Sequence, residues 1–451
     1  MKLKVFCILI ILVPHLLIAQ QSQKEPNFEL KVDPKMELLT ILMNYSYWDY
    51  FGKFKTTEYK YYNNMKAHFD KYSKHPSIEW YNEAGQNWNF DDPASVILWY
   101  DSLPLKQAVP FPLHSTSQID TIVVKEFIEK LNQFAEDTDF KSFWKENKPW
   151  HDSIIQDLKH SENYTNYLGQ METFYGEKKD KYVFILSPLF NGISFGPQVK
   201  NKEHTTAYFI TGFDGMENGI PYFNNDDLKM LIFHEYGHSF VNPVCEENRA
   251  ELYKYEHLSE YFNSPFLSNY AGWFAFCHEH LVRACESILL KKAGYKKYAQ
   301  ENSKRNLRLG FTLLPLLKEK MEYYDSNRDK YESFKEFFPE LLIVFAETEP
   351  IKAEQPKPLG LYFKATDTGI CLDYISGRSP FKDNLQVEDV LTSVNNLILK
   401  SEDDISRFKD LYYNSNKGDT LKVQLLRAGK IIETDLTTVF EDYYSFRKNH
   451  K

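Results

Sequence analysis

The stretch NNDDLKMLIFHEYGHSFVNP, residues 224–243, decides how the rest of the chain is read. Asn224, Asn225, Asp226 and Asp227 offer N-cap and first-turn residues for a helix, and Pro243 is expected to stop it. Inside lie His234 and His238, four residues apart. That spacing puts both on one helix face, with Cβ atoms about 5–6 Å apart. Two imidazoles so placed can present nitrogens to one Zn²⁺ at about 2.0–2.1 Å each. Glu235 adjoins the first histidine, so its carboxylate can reach a water held by the metal rather than the metal itself. It could take that proton as the water attacks a carbonyl and return it to the leaving amine. The competing reading is a solvated helix with two incidental histidines. The capping residues and the two strand-like runs ahead of the motif weigh against it.

Two histidines leave a zinc site one protein ligand short. Glu246, Glu247, His257, Glu260, His278, Glu279, His280 and Glu286 all lie downstream. Ser268–Ala293 is the strongest helical pattern nearby. On it Glu279 shares a face with Gly272, Ala275, Phe276, Val282, Arg283 and Glu286, so the third ligand is expected to be Glu279. Arg283, one turn on, could hold that carboxylate or neutralise an oxyanion. The bland alternative is a surface Glu279–Arg283 ion pair. His278 and His280 are the rival ligands or supporting donors. Glu246 and Glu247 follow the expected helix stop too closely to fold back.

The HExxH helix with a glutamate on a later helix resembles the gluzincin group of zincin metallopeptidases. FHEYGHSFVNP followed by Trp273, Glu279, Arg283 and Ala284 is similar to a family of secreted bacterial zincin-like proteins. The resemblance spans about residues 30–345 and implies Zn²⁺ as cofactor and a peptide or protein as substrate. It also implies an edge strand beside the metal helix, for which Thr205–Thr211 is the candidate. Tyr208, Tyr236 and His204 are candidates for stabilising an oxyanion, and Asn242 is expected to cap helix carbonyls.

Working outward, Lys181–Leu189 and Thr205–Thr211 read as strands, with the glycine-containing loop Asn191–Pro197 between them. Residues from about 25 to 175 read as helical and aromatic. Helices are expected over Glu37–Phe51, Ile122–Leu131 and Asp139–Asn147, the last stopped by Pro149. His68, His75 and His114 read as packing or surface residues.

Glu347–Gly360 carries three prolines and mixed charge and reads as a linker, centred on residues 348–358. Beyond it, Gly369–Thr438 resembles the PDZ domain of bacterial proteases. Ser379-Pro380, Glu388–Asn395, Lys417–Thr420 and Leu426–Lys430 carry that likeness. Val390, Val394, Leu421, Val423 and Leu425 alternate as strand residues do. The resemblance implies a peptide C-terminus or added strand as partner, with Leu359, Gly360 and Leu361 as the carboxylate-binding loop. Glu388 and Asn396 stand where glycines are usual, and Asn tolerates the left-handed conformation.

Residues 1–20 have a basic start, an apolar run and a small-residue end, and read as a secretory signal peptide. Export to the periplasm or beyond is expected, with no membrane segment after cleavage. It would permit a disulfide from Cys245 to Cys277 or Cys285, against the alternative of four buried thiols. The 451 residues are 43% apolar, 26% charged and 16% aromatic, with a net charge of −9. That balance excludes collagen, a long disordered chain and a polytopic membrane protein. It also excludes nucleic acid as partner, since no concentrated basic surface is available. The expected architecture is α+β. Residues 21–347 form a mostly helical zincin-like domain with a small sheet, and residues 359–445 a small β-rich PDZ-like domain. The function expected is zinc-dependent peptide hydrolysis. The alternatives are an inactive zincin-like binding protein and a zinc hydrolase of a non-peptide amide or ester, such as a cell-wall fragment.

Overall fold

The computed structural model describes residues 25–46, 60–85, 88–89, 91–108, 120–190, 194–202, 204–217, 220–223, 227–262 and 272–449. The signal segment 1–20, His114 and the N-cap candidates Asn224–Asp226 lie outside them. Among the described residues, no helix is long and apolar enough to cross a membrane.

Among the described residues β1 (Phe28–Lys31) comes first and is followed by seven α-helices. These are α1 (Pro34–Asn44), α2 (Lys60–Phe69), α3 (Pro76–Ala84), α4 (Asp92–Ile97), α5 (Thr121–Asp137), α6 (Phe140–Ser161) and α7 (Tyr164–Tyr175). The sheet strands are β2 (Lys181–Leu186), β3 (Ser194–Phe195), β4 (Gln198–Asn201) and β5 (His204–Thr211), followed by a hairpin, β6 (Gly215–Glu217) and β7 (Ile220–Tyr222). Among the described residues six α-helices follow in the larger unit: α8 (Asp227–Glu247), α9 (Arg249–Tyr253), α10 (Gly272–Lys292), α11 (Lys296–Arg308), α12 (Leu314–Ser326) and α13 (Phe334–Ala346). The C-terminal unit contains β8 (Thr348–Pro356), β9 (Leu361–Thr366), β10 (Gly369–Ile375), β11 (Val390–Val394) and β12 (Leu397–Ile398). It ends with α14 (Glu402–Tyr413), β13 (Thr420–Arg427), β14 (Lys430–Thr437) and β15 (Phe440–Lys448).

Local chemistry explains several boundaries. Asp33 caps α1 by accepting the Lys35 N–H, with Pro34 in the first turn where its missing N–H costs nothing. α7 ends at Gly176, which sits at φ +67°, and a Cβ there would meet Glu332 O at 2.1 Å. Two prolines expected to stop helices do not. Pro149 lies inside α6, because the buried stripe Phe143, Asn147, His151, Ile154 and Leu158 continues past it. Pro243 lies inside α8, whose next turn buries Val244 and Cys245. A mid-helix proline costs about 3 kcal/mol. Burying two such side chains offsets it, at about 1.5–3 kcal/mol for a side chain of valine size.

β1, β2 and β5 run parallel, and β3 and β4 both pair antiparallel with β5 on its far side. Thr205–Thr211 is therefore an interior strand; among the described strands one edge of the sheet is β1 and the other the interrupted strand Ser194–Asn201. One face carries Tyr182, Phe184 and Phe209, packed on Tyr164 of α7 and Tyr236 of α8. Helix α10 lies against α8 in turn. Cys245, Cys277 and Cys285 are buried free thiols, while Cys371 is only partly buried.

The expected linker is a strand. β8 pairs along its whole length with β15, from Thr348↔Lys448 to Pro356↔Phe440. Its prolines are tolerated because a two-stranded ribbon leaves each strand one unpaired edge. The ribbon docks on the larger unit through Phe446 and Tyr444, which meet Phe262 and Tyr261 at 5.0 and 5.1 Å between ring centroids. The remaining C-terminal strands form one sheet in the order β14-β13-β11-β10-β9, with β12 on β11. Its core includes Ile370, Leu391, Val394, Phe408, Val423 and Leu425. Glu388 takes φ +72°, and the left-handed asparagine is Asn395 at φ +49°, not Asn396.

Candidate metal centre

Three residues from two helices meet between α8 and α10. His234, His238 and Glu279 place one ligand atom each within 4.8 Å of one another. His234 Nε2 lies 3.6 Å and His238 Nε2 lies 3.4 Å from the Glu279 carboxylate oxygens. Two atoms each about 2.0–2.1 Å from a tetrahedral centre stand about 3.3–3.4 Å apart, so this donor set fits zinc. The helices approach closely at Gly237, where a Cβ would come within 3.3 Å of Val282 Cγ1 and 3.2 Å of the Tyr175 hydroxyl.

Each histidine is turned by a partner on its other nitrogen. His234 Nδ1 is 2.9 Å from the fully buried Glu286, whose second oxygen accepts a hydrogen bond from Asn302 Nδ2. His238 Nδ1 is 3.2 Å from Asn242 Oδ1. Both Nε2 atoms are thereby presented to Glu279, the usual arrangement behind metal-binding imidazoles. Glu279 is fixed by Arg283, which donates to Oε2 at 3.0 Å. Arg283 also donates to Asn306 Oδ1 at 3.2 Å and sits 4.2 Å from the Phe311 ring centre.

The electrostatics follow from burial and these contacts. Burial pushes Glu279 up, but the His234 hydrogen bond and the Arg283 charge outweigh it and hold the carboxyl well below the usual range. Burial and Arg283 push His234 down, and Glu279 and Glu286 outweigh both, raising it to about 9. Burial lowers His238 to about 4. Burial raises Glu235 to about 7, opposed by the His234 and Arg283 charges and reinforced by those of Glu279 and Glu286. The Ser194–Asn201 edge of the sheet touches this residue, since a Cβ on Gly196 would meet Glu235 O at 2.0 Å. Asp91, just ahead of α4, is pushed up by burial and by the Glu279 charge, so the N-terminal helices contribute to the surroundings of the cluster.

His234, Glu235, His238, Glu279 and Arg283 thus come together, and other sequence candidates do not. Tyr208 pairs in register with Val183, on the sheet face opposite Phe209, and feels the Asp33 and Glu29 charges there. Tyr236 packs its ring on Tyr182 and Phe209, and exposed His204 stands 3.4 Å from Asp180. Alternation along β5 and the helical period of α8 turn these groups away. His280 Nδ1 bonds Phe276 O at 3.0 Å, and its ring is clamped by Phe276, Phe262 and Phe311. His278 packs on Phe274 at 4.3 Å, and burial lowers it to about 3, with the His238 charge adding to the effect. Among the described residues its buried Nε2 has no hydrogen-bond partner. Glu246 pairs with Arg249 and Glu247 with Lys335, and His257 and Glu260 are exposed. Asn242 meets His238 Nδ1 where a helix cap was expected, because the helix runs on past it. Asn302 and Asn306 were not singled out by the sequence. Their one-turn spacing on α11 was the available signal.

In the C-terminal unit, Leu359, Gly360 and Leu361 form a turn at the start of β9, with Gly360 at φ +61°. Ser379 Oγ donates to Leu359 O at 2.6 Å and Ser376 N–H to Gly360 O at 2.8 Å.

A family model described as a domain of unknown function (DUF4932) matches residues 113–344. A PDZ domain model matches residues 358–438, so the C-terminal unit is a PDZ domain. A search of curated proteins finds no match. Among solved structures, the HtrA3 PDZ domain bound to a phage-derived ligand (FGRWV) aligns at 14% identity, over 22% of this chain and 93% of that one, with a TM-score of 0.16. An aminopeptidase N family protein from Idiomarina loihiensis aligns at 12% identity, over 66% of this chain and 65% of that one, with a TM-score of 0.23. The chain thus spans just under two thirds of the latter.

Proposed function

We propose that this chain, which belongs to the DUF4932 family, is an exported zinc-dependent peptidase whose PDZ domain binds peptide segments of substrates or partners. The convergence of His234 Nε2, His238 Nε2 and the Glu279 carboxylate, with Glu235 beside them, supports this reading. When bound, zinc supplies a Lewis acid that polarises a carbonyl and acidifies water. The protein's own groups do the rest. Glu286 and Asn242 hold the imidazoles in the tautomer that leaves Nε2 free to bind. Arg283 keeps Glu279 ionised. Glu235, raised to about 7, can take a proton and give it back near neutral pH. An extended substrate could add to the free edge at Ser194–Phe195, next to Glu235, in place of the interior strand Thr205–Thr211.

The test is hydrolysis of casein and of a peptide library by the mature protein, beside Glu235→Gln. The expected result is cleavage by the wild type and none by the variant, with zinc content equal in both. Equal zinc with no cleavage by either protein would favour a binding protein.

A further inference from the structure

The helix that steadies the metal cluster also reaches the PDZ domain. α11 carries Asn302 and Asn306, which hold Glu286 and Arg283. Its last residue, Arg308, lies across the unit boundary with its guanidinium 4.0 Å from the Tyr413 ring centre on α14. The Tyr413 hydroxyl in turn accepts the Leu359 N–H at 3.1 Å. One helix thus links the metal ligands to the loop at the head of β9.

Ser379 and Ser376 hold the Leu359 and Gly360 carbonyls of that loop. β9 pairs only with β10 among the described strands, leaving its other edge, flanked by α14, for an added strand. Cations cluster beside it. Burial, Arg305 and Arg308 push Lys409 down, Asp410 lies 3.9 Å from Arg308, and Arg308 and Glu441 both act on Tyr413. An anion arriving at the loop relieves the repulsion among those cations.

Resting on the peptide-binding reading above, which places a peptide C-terminus at Leu359–Leu361, we propose that Arg308 of the larger unit supplies its counter-charge and that α11 couples this binding to the metal centre. The incoming carboxylate takes the Leu359 N–H from Tyr413, and Arg308, released from the ring, pairs with it. Linkage then requires that zinc change peptide affinity by the same factor by which peptide changes zinc affinity.

The experiment uses the full mature chain and a fluorescein-labelled random peptide pool ending in valine, as free acid and as amide, with and without zinc. Anisotropy should show the acid binding at least about 10-fold tighter than the amide. Arg308→Gln should collapse that ratio toward unity while leaving amide affinity unchanged, and Arg308→Lys should keep most of it. Zinc should shift acid affinity by about 5-fold or more in the wild type and not in Arg308→Gln. An acid preference that survives Arg308→Gln overturns the proposal and leaves PDZ peptide binding standing. Equal acid and amide binding in the wild type overturns both. A lost preference without any zinc effect overturns the coupling.

Discussion

The cluster between α8 and α10 is built from side chains, and the groove beside β9 is built from backbone. In the first, a carboxylate, two imidazoles and a guanidinium sit in a buried network where each is held by another ionisable or amide group. In the second, a left-handed glycine and two tied carbonyls present an edge that many sequences could form. Side-chain chemistry leaves a strict residue code, and backbone chemistry leaves almost none. The same contrast holds for stability. Isolated buried acids such as Glu37 belong to the larger unit, whereas the PDZ domain's buried Asp389 is paired with Arg427 at 2.7 Å.

Replacing groups in each region sharpens the contrast. The largest effect is expected from Glu235→Gln, which should lower peptide hydrolysis by about 10²–10⁴-fold with peptide binding at the PDZ domain unchanged. Initial-rate kinetics and anisotropy on the same sample check both halves.

Next is Glu37, fully buried, with Tyr61 Oη and Ser187 Oγ each 2.6 Å from its oxygens. Burial raises its pKa from 4.5 to about 7. The folded state therefore keeps a proton that the unfolded chain has lost. Stability from this group is full below pH 4.5 and falls as pH rises to about 7, by on the order of 3 kcal/mol. Glu37→Gln mimics the protonated acid, so thermal unfolding should lose that slope. A slope unchanged in the variant would mean that Glu37 is not its source.

Glu286→Gln removes the charge behind His234 while keeping an amide for Asn302. Zinc should bind about 10–100-fold more weakly, measured by competition with a chelating dye. An unchanged affinity would break the claim that the buried network orients the ligands. The smallest effect belongs to the PDZ domain. Glu388 at φ +72° stores strain, so Glu388→Gly should stabilise that domain by about 1 kcal/mol in a urea titration, with no change at the metal cluster.

The pairing of His234 with His238 was legible because a one-turn spacing puts both on one helix face, and Glu279 followed from the face it shares with Arg283 and Glu286 on a second helix. Arg283 followed from the same rule. Asn302 and Asn306 were missed: their one-turn spacing marks a shared face of α11, but their partners come from another helix and no spacing rule spans that gap. Tyr208 was misread because only strand register reveals that it faces the far side of the sheet. Pro149 and Pro243 signalled helix ends, yet tertiary burial on both sides carried the helices through them. The proline-rich run 348–356 signalled a linker because its partner, β15, lies far along the chain, where no local pattern points to it.

Anomalous diffraction at the zinc edge, from crystals of the mature protein grown with zinc, tests the central claim most directly. A single strong peak bounded by His234 Nε2, His238 Nε2 and Glu279 is the expected result, and it should vanish in His238→Ala. No peak there, or zinc held only by other residues, would contradict it.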